Sequence, residues 1–95
     1  MKALELFLAE KVKDKLDVVA SSYVNFYNRI DSCLPTDRDP ISYTKEDFVN
    51  ILTSLNAKTI PHFTAAKSRI KNYFEWLKDR GEMTENQVSE FSAIQ

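Results

Sequence analysis

Between Thr59 and Gly81 an apolar residue recurs at nearly every helical repeat: Phe63, Ala66, Ile70, Tyr73, Phe74 and Leu77. At about 100° per residue these positions fall on one face of a helix. Thr59 is placed to cap it. Pro61 stands in the first turn, where its missing N–H has no intrahelical bond to lose. Gly81 stands where helices close through the left-handed conformation. A stripe of this kind needs other helices to cover it. The 95 residues hold one Gly and three Pro, fewer turn residues than a β-rich fold uses. The expected class is all-α.

The remaining segments read the same way. Leu4, Phe7, Leu8 and Val12, then Leu16, Val19 and Tyr23, then Phe26, Tyr27 and Ile30 recur at helical spacing. We expect a short leading helix or arm, a break near Lys15–Asp17, and a main first helix ending around Leu34. The run PTDRDP, residues 35–40, is a loop, bounded by Pro35 and Pro40. Thr44 caps a second helix, with Asp47 as a short variant of the capping box, and Phe48, Ile51, Leu52 and Leu55 form its apolar face. That helix should end near Leu55. Thr84 and Gln87 form a capping box for a fourth piece carrying Val88, Phe91 and Ile94. The expected division is a leading helical segment, 1–16, and a helical domain, 17–95. The last apolar pattern is cut short at Gln95, so the expectation is a fragment of a longer chain.

Composition narrows the function. Hydrophobic residues are 43% and charged residues 28%, ordinary for a globular chain. A single core of this size leaves little room for an enzyme cleft. One cysteine, Cys33, excludes an internal disulfide framework and a Cys-based zinc site, and fits a reducing, cytoplasmic setting. Cys33 itself reads as a small semi-buried hydrophobe. The one histidine, His62, has no clustered ligands, so no metal is expected. With one glycine there is no phosphate-cradling loop, and no cofactor is expected. No apolar run approaches the roughly 20 residues of a membrane span, and the charged start is not a signal peptide. Tyr23, Tyr27, Tyr43 and Tyr73 lack an Arg–His set to activate a nucleophile and read as packing residues. Glu46 and Asp47 read as helix-start carboxylates. No catalytic residue is nominated.

The net charge of −1 hides an asymmetry. From Phe48 to Phe74 there is no Asp or Glu, whereas Lys58, His62, Lys67, Arg69 and Lys71 fall there. On the third helix Lys67, Lys71 and Lys78 lie along one flank, and His62, Arg69, Trp76 and Arg80 along the other. Thr64, Ser68, Asn72, Glu75 and Asp79 face outward. The N-terminal half thus joins basic flanks, small hydroxyl residues and the positive end of the helix dipole, a combination suited to phosphate. A plain surface helix with snorkelling lysines has the same outline. His62 is either a helix-start surface residue or a phosphate contact. Trp76 either covers the core edge or meets another domain or subunit.

Three segments together resemble a known family. They are VVASSYVNFYNRIDSCL, then DPISYTKEDFVNILTSL, then AKTIPHFTAAKSRIKNYFEWLKDRGEMTEN. In order and separation they resemble the N-terminal core-binding domain of tyrosine recombinases and phage integrases. Tyr23, Phe26 and Ile30 match its first helix. Residues 43–47, with Ile51 and Leu55, match its second. Thr59, Ile70, Phe74, Leu77 and Gly81 match its third. Asn86 echoes an Asn that the family usually follows with Pro, where this chain has Gln87. The resemblance covers roughly residues 17–86.

The resemblance implies a four-helix, SAM-like orthogonal bundle, here with an additional N-terminal helical arm. It implies a module that grips double-stranded DNA while a C-terminal catalytic domain of the same chain performs strand exchange, with self-assembly on DNA in the full-length protein. The DNA-contacting set expected from charge and resemblance together is Lys45, Lys58, Thr59, His62, Thr64, Lys67, Ser68, Arg69 and Lys71. The alternative is a helical protein–protein interaction domain without nucleic-acid binding. Its sticky surface would be Val88, Phe91 and Ile94 with Trp76.

Overall fold

A computed structural model describes residues 3–13, 15–35 and 38–94. Thr36 and Asp37, inside the expected 35–40 loop, lie outside the described residues. The described chain is all-α, with five α-helices and no strand: α1 (Ala3–Val12), α2 (Asp17–Asp31), α3 (Lys45–Ser54), α4 (Ile60–Asp79) and α5 (Glu85–Ala93). A 3₁₀ turn spans Pro40–Ser42. The chain divides into two compact units, Met1–Ser32 and Cys33–Gln95.

In the first unit α1 packs on α2. Leu4 and Phe7, three apart on α1, are buried. The Phe7 ring meets Tyr27 edge-on at 5.1 Å, and Tyr27 also contacts Phe26 edge-on at 5.2 Å. The expected break is present: α1 ends at Val12 and α2 begins at Asp17. It interrupts the apolar pattern. Leu16, within the break, and Val19 recur at helical spacing in the sequence, yet they are 79% and 41% exposed. Leu16 is the extended N-cap of α2, so the helical phase of α1 does not pass through it. α2 ends at Asp31, short of the expected Leu34, and the Ser32 hydroxyl donates back to the Arg29 carbonyl at 2.7 Å.

The second unit is built around aromatic contacts among three helices. Phe74 of α4 lies 4.9 Å from Phe91 of α5 and 5.5 Å from Phe48 of α3, and Phe48 lies 5.6 Å from Phe91. Ile51, Leu52, Ile70, Leu77, Met83 and Val88 are buried with them. On α4 the expected stripe is buried from Ile70 to Leu77, whereas Phe63 and Ala66 are only half-buried.

The helix ends follow the cap residues. Thr59 Oγ1 accepts from the His62 N–H at 3.3 Å. The Thr84 N–H donates to Gln87 Oε1 at 2.8 Å, and the Gln87 N–H donates to Thr84 Oγ1 at 3.1 Å, a complete capping box. α4 closes in a Schellman motif. The Glu82 N–H reaches the Leu77 carbonyl at 2.8 Å and the Gly81 N–H reaches Lys78 at 2.9 Å, with Gly81 at φ +78. After α3, Asn56 takes φ +50, a region this residue tolerates, with its N–H 3.3 Å from the Thr53 carbonyl.

Candidate nucleic-acid interface

The N-terminal half of α4 presents the most open group of the expected contacts. Lys58, Thr59, His62, Thr64 and Ser68 are all exposed. Thr59 Oγ1 accepts the His62 N–H, which orders the first turn and leaves the hydroxyl proton free to be donated. The exposed Ile60, at 82%, adds an apolar side chain to the same turn. With no acid between Phe48 and Phe74 in sequence, and the helix N-terminus beside the exposed Lys58, the surface suits an anion.

The other expected contacts sit differently. Lys67, Arg69 and Lys71 are half-buried. Lys67 is engaged within the fold: its ammonium donates to the Ser92 carbonyl at 2.8 Å and to the Ile94 carbonyl at the end of α5. Lys71 lines a shallow groove of about 410 Å³ between α4 and α5, with Glu75, Lys78 and Glu85 among its walls. Two carboxylates there offset much of its field. Lys45 is exposed and lines a second hollow with Glu90, Ala93 and Ile94. Because Lys67 also reaches Ile94, Lys45 stands at the end of the unit where the basic half of α4 lies.

The start of α3 is a mixed-charge surface. Arg38 pairs with Asp47 at 2.5 Å. The Asp47 carboxylate also accepts from the Thr44 N–H at 2.8 Å. The Arg38 guanidinium, followed by that N–H, holds the Asp47 carboxyl below its ordinary value. Glu46 is exposed beside Lys45. The exposed, acid-free group of expected contacts is therefore Lys58, Thr59, His62, Thr64 and Ser68, whereas Lys45 stands among carboxylates.

Tyr27, Tyr43 and Tyr73 are buried, and the Tyr43 hydroxyl donates to the Pro35 carbonyl at 3.4 Å, as packing residues do. Among the described residues no group of three or more His, Cys, Asp or Glu side chains is placed to hold a metal. No helix there is long and apolar enough to cross a membrane. Of the surface named for a protein-binding alternative, Val88 and Phe91 are buried in the core. Trp76 is half-buried and carries the Arg80 guanidinium 4.6 Å over its ring.

Sequence reasoning missed the engagement of Lys67, because its partners lie 25 and 27 residues away. One signal existed: α5 has no basic residue in its last turn, so a cation from elsewhere suits its terminal carbonyls. No protein-family model, curated protein or solved structure matches the chain.

Proposed function

We propose that this chain is the DNA-binding, core-binding module of a site-specific tyrosine recombinase or phage integrase. It grips the duplex at the recombination site, while cleavage and exchange of strands belong to a separate catalytic domain. The observation that carries the reading is the acid-free N-terminal half of α4, where Lys58, Thr59, His62, Thr64 and Ser68 are exposed on one helix start. The spacing of cap residues and apolar positions that resembles the core-binding family adds to it. Phosphate contacts come from Lys58, Thr59 and His62, and Thr64 and Ser68 are short enough to approach base edges. Arg69 and Lys71 contribute from the flanks, and Lys45 from the tempered end of α3.

Binding of this kind releases counterions. With about three phosphates neutralised, affinity falls roughly 40-fold between 50 and 200 mM salt. Titration of labelled protein with duplex DNA at several salt concentrations, followed by amide chemical shifts, tests the reading. Shifts centred on residues 58–68 with a steep salt slope support it. Salt-independent binding, or shifts confined to other residues, refutes it. Self-association that survives high salt, without any response to DNA, points instead to a protein-interaction domain.

A further inference from the structure

α5 is a helix of 9 residues, shorter than helices that hold themselves in water. Its N-terminus is secured by the Thr84–Gln87 box. Its last turn carries no cation of its own, and the chain leaves through Ile94 in an extended conformation rather than through a glycine. What reaches this end is Lys67 of α4, whose Nζ donates to the Ser92 and Ile94 carbonyls. A cation there complements the negative end of the helix and gives the Ser92 and Ile94 carbonyls a donor. The same turn carries Phe91, fully buried against Phe48 and Phe74.

We propose that Lys67 is a latch. It fixes the last turn of α5 onto α4, so that Phe91 stays seated. For the same reason its ammonium is withdrawn from the side chains that meet an anion on α4. The first claim stands on the geometry alone; the second rests on the DNA-binding reading.

Two measurements test this. Lys67→Met keeps the aliphatic stem and removes the ammonium, and Lys67→Arg restores a cation. In amide hydrogen exchange, the Met variant speeds exchange at Phe91, Ser92 and Ala93 on the order of tenfold. Tyr73 and Phe74 in α4 change by no more than about twofold. The Arg variant returns α5 towards the wild-type rate. A uniform acceleration through α3, α4 and α5, or no change at α5, overturns the latch. In DNA titrations the Met variant keeps the wild-type salt slope, whereas Lys58→Ala lowers it by about 0.9. A drop of that size in the Met variant overturns the withdrawal. Wild-type protein that fails to bind DNA sinks the DNA reading instead, and the exchange arm still decides the latch.

Discussion

The side-chain amide of Gln87 donates to the main-chain carbonyl of Tyr43 at 3.0 Å. The same nitrogen lies 3.1 Å from the Pro40 carbonyl and 3.0 Å from that of Ile41, so its two protons are shared among three acceptors. Its oxygen meanwhile accepts the Thr84 N–H. One side chain thereby ties the 3₁₀ turn ahead of α3 to the start of α5. Proline at this position would offer neither the amide nor the N–H.

Gln87→Ala removes the reciprocal cap and these three contacts. The expected loss is about 2 kcal/mol, read by urea unfolding with the single tryptophan, Trp76, as fluorophore. Gln87→Pro should cost more, since the N–H to Thr84 also goes. A loss under about 0.5 kcal/mol for the alanine variant would mean that water replaces the clamp.

Asp47 gives the fold an acid dependence. Its carboxyl is lowered from 3.8, first by the hydrogen bond from Arg38 and next by that from the Thr44 N–H. A carboxyl lowered in the folded state stabilises fully above its unfolded value and loses that contribution as pH falls through the lowered value. The window therefore opens below about pH 4. Asp47→Asn should cost about 1 kcal/mol at neutral pH. That difference from wild type should shrink towards zero in acid, because the wild-type carboxyl is then neutral too. A difference that persists unchanged in acid would assign the effect to packing.

The aromatic cluster of the second unit should be the most sensitive part of its core. Phe91→Ala is expected to cost about 3–5 kcal/mol, by transfer plus the cavity left between Phe48 and Phe74. Phe91→Leu fills part of that space and should recover more than half. Thermal unfolding checks both, and equal losses would indicate that the ring geometry, rather than volume, is needed.

Lys58 and Lys71 separate exposed charge from tempered charge. On the proposed DNA-binding reading, Lys58→Ala weakens binding and flattens its salt dependence. Lys71→Ala should do so less, with Glu75 and Glu85 lining the same groove. Both should leave stability within about 0.5 kcal/mol of wild type. Equal effects on DNA would mean that the carboxylates do not shield Lys71.

Local chemistry was readable from the sequence where one residue dictates it. Thr59 and Thr84 cap their helices, Gly81 closes α4, and α4 runs over Ile60–Asp79 as the apolar spacing predicts. The burial of Phe48, Ile51, Phe74 and Leu77 follows the same periodicity. What could not be read depends on distant segments meeting. Arg38 finds Asp47 across the start of the second unit, Gln87 reaches back to Pro40–Tyr43, and Lys67 turns to the end of α5. For the members of the expected DNA-contacting set inside α4, helical phase decides which face each takes. Phase places Lys67 and Lys71 on a flank, but it does not say that another helix lies along that flank.

Gly81 carries a different lesson. Its φ of +78 strains a coded side chain, yet a Cβ added there meets nothing within 4 Å. Handedness, not room, keeps the position empty. L-alanine should cost about 1 kcal/mol at this corner. D-alanine, introduced by chemical synthesis, fits the same backbone and narrows the unfolded ensemble, for a gain of about 0.4–1 kcal/mol. The turn after α4 would thus accept a side chain of the mirror hand, which no coded residue supplies.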